Sequence, residues 1–547
     1  MTASGRRARA DTARRIPTLV VVGAAVAAVV AAGLAVDPRS GVAPAAAALG
    51  PAELAPVAPD ADALGSTWYC AAGTGEEGGP ADHRVVIANV GDEPVDVVLT
   101  VVPGAALGAA PDATAATEPV VEELTIEPRS REVLPLRALL EAPFVGAIVE
   151  AGRGEVVVEH SVGGGSPDLD AAPCASSSSP TWYVPAATTT RGATAQLVLF
   201  NPFPDDAVID ITFVTDEGQR SPEAFSGFIV PGRRVTVVDI GEIISLHPNV
   251  STTIVARAGR LVVERLQSFD GSDGPAGIAV TPAAPEPAPV WHFPDGLVDE
   301  GITEVVTVYN PTDDPAEVDV EVNLDPSPDP SQAVSAAPFS QTVAPHGYVQ
   351  IDVGADGRPV GETATDDTTT DDTATDGAPI GRVPPGRGHS ITVRSQNGVP
   401  VVAEQWIRSD APAARTGFSA TLGSPVVATR WLAAAGTANA DVSEYLVLMN
   451  PAAEGIARVS VAAASPTQQL VISGLEDVEV PAQGRVAIDL GQYLNRDELL
   501  LVIDASAPIV AERGLYPVAG GLTASILLPS APTAGIAEVD PGTVSEG

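Results

Sequence analysis

Lysine is absent from this chain. All 29 basic residues are arginine, and they face 70 acidic residues for a formal net charge of −41. A surface that acidic repels polyphosphate, which excludes nucleic acid as a partner. Cysteine is nearly absent too. Two residues cannot supply a zinc site of about four ligands, and no Cys-x-x-Cys redox pair occurs. Aromatic residues make up only 4% of the chain, few for a protein that stacks sugars on its surface. Gly-x-Ser-x-Gly is missing, and the six histidines never stand at the i, i+4 spacing of a zinc helix. Gly163-Gly164-Gly165 runs into Ser166-Pro167, not into a helix that could cradle phosphate. The one Asp-rich segment lacks the alternating ligands and bend glycine of a calcium loop. No catalytic residue, cofactor site or metal site is expected.

What the chain has is repetition. Four segments open on tryptophan: Trp68-Tyr69-Cys70, Trp182-Tyr183-Val184, Trp291-His292-Phe293 and Trp431-Leu432-Ala433. About twenty residues after each, an apolar run ends on asparagine, at Asn89, Asn201, Asn310 and Asn450, three of them followed by proline. A period near a hundred residues marks one folding unit copied in tandem.

The later parts of each copy also align. An alternating run such as Val208-Ile209-Asp210-Ile211-Thr212-Phe213 reads as a half-buried strand. A proline hinge follows, then a strand that ends on Asp239, Asp352 or Asp489 in three copies, with Leu136 near that place in the first. A hairpin comes next, and its second arm finishes on Glu159, Glu264, Glu404 or Glu512. A last strand closes the unit. Short strands, turn residues between them and almost no helical periodicity predict an all-β protein, a tandem array of four immunoglobulin-like β-sandwiches. A propeller-like ring of the same repeats is the alternative, ranked second because the units exceed ordinary four-strand blades.

The expected boundaries are 66–175, 180–285, 289–427 and 429–530. The third copy carries a Thr/Asp-rich insert at 356–379, and a tail fills 531–547; both have compositions that cannot bury a core. Residues 37–65, rich in Ala, Pro and Asp, read as a disordered stalk.

The N-terminus supplies an address. Residues 1–15 hold five arginines against Asp11, and 16–36 form an uncharged apolar run near the roughly 20 residues that span a bilayer. This predicts a single transmembrane signal-anchor, N-terminus cytoplasmic and the bulk outside. Signal cleavage and secretion is the competing reading. Cys70 and Cys174 flank the first copy, and in an oxidising compartment they are expected to pair as a disulfide.

The repeated residues read first as framework. One tryptophan per unit (Trp68, Trp182, Trp291, Trp431) suits a core plug, and Asn before Pro suits a turn. Trp406, outside the pattern, is the better candidate for an exposed aromatic, although core packing is the first reading there too. The repeated glutamate is the most tempting functional signal. Glycoside hydrolysis would need a second carboxylate about 5–10 Å away, with Asp239, Asp352 or Asp489 in that role. The bland alternative pairs each Glu with an Arg or with backbone amides at an edge between units; Arg265 and Arg513 follow directly in two copies.

The order Trp-Tyr, Asn-Pro, proline hinge, Val-x-Glu-Arg, with the opening Ser66-Thr67-Trp68-Tyr69-Cys70-Ala71-Ala72-Gly73, resembles a secreted or membrane-anchored actinobacterial envelope family known as domain of unknown function 5719. The resemblance runs over most of residues 66–530 and implies an address without a chemistry. The functional expectation is a non-enzymatic, membrane-anchored envelope protein that spaces, scaffolds or adheres, a rod of four units. Its expected partners are the lipid bilayer, cell-wall glycan or other envelope proteins. A cell-wall carbohydrate-binding protein is the second reading, with Trp406 as platform; a carbohydrate-active enzyme is the third.

Overall fold

Residues that alternate in polarity pair into sheets whose apolar faces meet. The run at 208–213 lies in the strand Ala207–Thr215, where Ile209, Ile211 and Phe213 are buried and the residues between them are half-exposed. A computed structural model of the protein describes residues 50–109, 118–165, 168–326, 338–354, 383–465, 468–518 and 520–531. The expected basic tail, apolar span and Thr/Asp-rich insert, and the tail beyond Ala531, lie outside the described residues. Among those described, no helix is long and apolar enough to cross a membrane.

The fold is all-β, and the second copy illustrates the pattern. One sheet runs Thr181–Val184, Ser251–Ala258, Ala207–Thr215, Ser226–Val230. The other runs Arg234–Asp239, Ala193–Asn201, Val262–Phe269, Gly277–Pro282. Trp182, Leu197, Ile211, Val238 and Val263 from both sheets share one core. The first and third copies repeat the same strand order. In the fourth, both hairpin arms belong to one long strand, Arg496–Pro517, which serves both sheets.

The copies do not form a rod. From Pro51 onward the chain is a single unit. The four closing strands, Asp168–Pro173, Gly277–Pro282, Gly417–Leu422 and Thr523–Ile526, touch in cyclic order, and the fourth meets the first. Hydrogen bonds run round the same circuit. Val280 N–H donates to Asp170 Oδ2 at 2.7 Å, Thr281 Oγ1 to Ala420 O at 3.3 Å, Thr421 Oγ1 to Ala524 O at 3.1 Å, and Thr523 Oγ1 to Leu169 O at 2.5 Å. The expected rod is therefore corrected to a ring, the arrangement of the same repeats named as the alternative, with the closing strands at its axis. The reason is geometric: each unit's last strand carries small or apolar residues, with hydroxyls in three copies and Asp170 in the first, that are left half-covered unless a neighbour supplies the other side.

The expected stalk is also shorter than 37–65. Pro51–Leu54 form a helical turn, and Val57 and Ala58 are buried. Ala58 N–H donates to Pro529 O at 2.8 Å, Ala531 N–H to Ala58 O at 3.0 Å, and Val57 N–H to Ser176 Oγ at 3.0 Å. Leu54, Ala55 and Pro56 lie with the four closing strands around one small apolar cavity of about 60 Å³. This strap crosses the end of the axis.

Candidate functional site

Each opening tryptophan is buried, with exposure of 3% or less, and its indole N–H is satisfied. Trp182 donates to Ser179 O and Leu261 O, Trp291 to Ala288 O and Val401 O, Trp431 to Ala428 O and Ile509 O, and Trp68 to Ser66 Oγ. In three copies the ring thus ties its own strand to the start of the Glu-bearing arm.

The asparagines are buried as well. Each side-chain amide donates to a carbonyl in the following turn and to one a residue or two before the hinge proline: Asn89 to Glu93 O and Ile126 O, Asn201 to Asp205 O and Val230 O, Asn310 to Asp314 O and Val343 O, Asn450 to Gly455 O and Val480 O. Turn chemistry explains the first bond of each pair. The second clamps the two sheets of one copy together, and the sequence carried no sign of it.

Three of the four glutamates are bound outside their own copies. Glu264 Oε2 accepts from the backbone N–H groups of Ala71 (3.2 Å) and Ala72 (2.7 Å) in the first copy. Glu159 Oε2 accepts from Ala434 (3.0 Å) and Ala435 (2.5 Å) in the fourth, and Glu512 Oε2 from Asp295 (2.9 Å) in the third. Each acceptor reaches the chain just beyond the opening tryptophan of the preceding copy, with the first copy reaching round to the fourth. Glu404 departs from this pattern. Its Oε1 takes the indole N–H of Trp406 at 2.6 Å and faces Arg265 of the second copy at 2.6 Å.

The residue after each Glu faces the Glu of the next copy in three places. Arg265 meets Glu404, Arg513 meets Glu159 at 3.0 Å, and His160 Nε2 lies 3.6 Å from Glu264 Oε1. All of these side chains are 1% exposed or less. Burial raises the Glu264 carboxyl to about 8, although the Ala72 and Ala71 amides pull it down. Burial lifts Glu512 above the ordinary carboxylate range, Asp295 adds to the rise, and the Asp295 amide opposes it. Behind His160 stands His83, whose Nε2 is 3.0 Å from His160 Nδ1 while its own Nδ1 faces Val145 O at 2.8 Å. Burial lowers both imidazoles, His83 to about 4. The sequence showed these histidines as scattered, because residues 77 positions apart meet only once the sheets form.

The proposed acid partners lie elsewhere. Asp239 accepts from Gly241 N–H, Asp352 from Gly354 and Asp489 from Gly491, at 2.8, 2.9 and 3.1 Å. Each carboxylate shapes the turn after its own strand. Trp406 is 7% exposed, in keeping with core packing, and lies edge-on against Phe269 and Phe418 between the second and third copies. Cys70 and Cys174 form the expected disulfide, with Cα atoms 4.7 Å apart. Among the described residues, no group of three or more His, Cys, Asp or Glu is placed to hold a metal ion.

The junctions differ in filling. Val198, Phe200, Leu266 and Ile278 join Ala71, Ala72 and Phe144 between copies one and two. Phe269, Trp406 and Phe418 fill the next. Leu432, Ala434, Leu500 and Val502 of the fourth copy join the core of the first. The junction of copies three and four is polar. Arg485, 6% exposed, grips Asp325 through two bonds of 2.9 and 3.0 Å and also reaches Asp295. Burial works against its charge, but the two carboxylates raise its pKa above the ordinary arginine value. A cavity of about 450 Å³ opens beside it. Sequence reasoning missed Arg485, Asp295 and Tyr516; the signal that could have found them is Gly514, the one glycine at a place where the other three copies carry Ser161, Leu266 and Trp406.

Residues 57–285 match the profile of a family of unknown function, DUF5719. The matched stretch is the first two copies with only the end of the strap, Val57 and Ala58, before them, so it contains one complete junction, Glu264 on Ala71 and Ala72. Among curated proteins nothing matches the chain.

Proposed function

We propose that the protein is a non-enzymatic envelope scaffold: four immunoglobulin-like units closed into a ring and held outside the cell by an N-terminal membrane anchor. One observation carries the reading. The carboxylates that recur once per unit, the natural candidates for chemistry, are engaged in joining one unit to the next. A residue held by buried backbone amides is an organiser of structure, because displacing those bonds to reach a substrate would cost about 1–3 kcal/mol per group. Apolar residues 16–36 and the disulfide support an address outside the cytoplasm. The test is fractionation of the native host with determination of the mature N-terminus. Recovery in the membrane with residues 16–36 retained supports the anchor; a mature chain starting between Ala35 and Pro51 overturns it and leaves a secreted ring. A second reading, a carbohydrate-binding protein of the cell wall, is favoured by the cavity between the third and fourth units.

A further inference from the structure

The cavity beside Arg485 has a cause that can be read residue by residue. At the junction of copies two and three, three aromatic rings pack against one another with centroids 4.7, 5.1 and 6.3 Å apart. Trp406 stands two residues after Glu404, and Phe269 five residues after Glu264. Phe418 lies four before Leu422, the strand partner of Glu404. The same three addresses at the next junction hold Gly514, Ser409 and Leu522, the last lying four before Ile526, the partner of Glu512. Three rings become a hydrogen, a hydroxymethyl and an isobutyl group. Ser409 and Leu522 both line the cavity.

What surrounds this space is a binding surface more than a packing flaw. A flaw left by lost apolar side chains would have apolar walls and no polar groups turned toward it. Here Ile302, Ile407, Val447 and Leu522 form apolar wall, while Asp299, Asp325, Arg415 and Tyr516 bring polar groups to the same space. Tyr516 and Tyr445 are held edge to face with centroids 5.4 Å apart. Tyr516 folds back over Gly514, where an added Cβ would lie 2.8 Å from its hydroxyl, so the glycine makes the tyrosine's position possible. Arg415 lies 4.0 Å over the Tyr516 ring and 5.2 Å over Tyr445. Its guanidinium makes no hydrogen bond or ion pair among the described residues, which leaves its donors available. Asp299 is exposed at the rim.

We infer that this cavity is a saccharide site, taking one or two pyranose rings of a glycan. A sugar ring offers apolar C–H faces to aliphatic and aromatic wall, hydroxyl donors to carboxylates, and hydroxyl or amide oxygens to a guanidinium. The cavity supplies all three kinds of partner. Its volume, about 450 Å³, falls in the range of roughly 300–1,000 Å³ common for small-molecule sites. Three aspartates against two arginines leave one net negative charge, which disfavours a polyanion. The inference rests on the second reading above and gives it a place and a ligand class.

Isothermal titration of the full chain with N,N′-diacetylchitobiose, cellobiose and maltose tests it. At least one disaccharide is expected to bind, and the Ser409→Phe/Leu522→Phe variant, which restores the bulk found at the neighbouring junction, is expected to weaken that binding at least tenfold with thermal stability kept. Arg415→Ala and Asp299→Ala, both at exposed positions, guard against a filled variant that fails to fold; each is expected to weaken binding severalfold. The inference is overturned if none of the three sugars binds at millimolar concentration, or if a sugar that binds is indifferent to the variants that fold. Retention on purified cell wall that survives every one of them would sink the cavity while leaving a wall-binding role intact.

Discussion

Glu159 and Arg513 stand 354 residues apart in sequence and 3.0 Å apart in space, both essentially without solvent exposure. The contact joins the first copy to the fourth and is one of the bonds that close the ring. Glu444 also acts on Arg513, whose charge is kept by the Glu159 and Glu444 carboxylates against the cost of burial.

Breaking this pair from one side should open the junction. Glu159→Gln keeps the shape but leaves Arg513 buried with less compensation, a change that costs about 3–5 kcal/mol in such pairs. Replacing both partners, as Glu159→Leu with Arg513→Met, should recover most of that loss. Urea unfolding of the two variants and the parent checks the order; a double variant weaker than the single one would mean that the amide bonds to Ala434 and Ala435 matter more than the charge pair.

Stability should fall as the solution turns from mildly acidic to alkaline. Glu264 and Asp170 sit near 8 and Glu444 near 7 in the folded protein, each raised mainly by burial. A carboxyl raised on folding stabilises in full below its unfolded value, near 4 to 4.5, and that contribution is lost as pH rises through the folded value. His83, lowered to about 4, works the other way, since its contribution is complete above about 6.5 and shrinks as pH falls toward 4. The two trends oppose each other between about 4.5 and 6.5, and only the carboxyls act from about 6.5 to 8. Melting temperatures at pH 6.5 and 8 should differ in favour of the lower pH, and Glu264→Gln should reduce the difference.

The disulfide spans 104 positions, for which the chain-entropy account gives roughly 4–5 kcal/mol. Backbone bonds of 2.9 Å in both directions between Tyr69 and Ala175 already hold the same two strands together. The variant Cys70→Ala/Cys174→Ala should therefore lose about 2–3 kcal/mol, the low end for native disulfides, as read from denaturant midpoints. Loss of all folding would show that the first copy depends on the crosslink to assemble.

The strap should be part of the fold. A protein beginning at Pro59 lacks Val57 and Ala58 and their three hydrogen bonds, two to backbone and one to the Ser176 hydroxyl, each worth about 1 kcal/mol net, whereas one beginning at Gly50 keeps them. Thermal melts should place the shorter protein several degrees lower. Equal melting would show that the strap rests on the ring without supporting it.

Local pattern was enough for some of this molecule. Val208 to Phe213 alternates because one face of its strand meets a core, and that period of two is visible in any stretch of six residues. The Cys70–Cys174 pairing was legible because only two cysteines exist. The repeated Glu was visible as a position, and its bland partners, an arginine or backbone amides, were the right kinds. Which copy supplies them was not visible. Glu159 could have faced Arg residues of its own unit, and only the return of the fourth closing strand to the first puts Ala434, Ala435 and Arg513 beside it. Core packing for Trp406 could be read the same way, but its partner across the junction could not: only the neighbouring second unit brings Phe269 against it. Strand and turn preferences act over a few residues and are written along the chain. Burial at a junction depends on two surfaces far apart in sequence, so the choice of ring over rod, its carboxylate joints and the cavity beside Arg485 were decided only by tertiary packing.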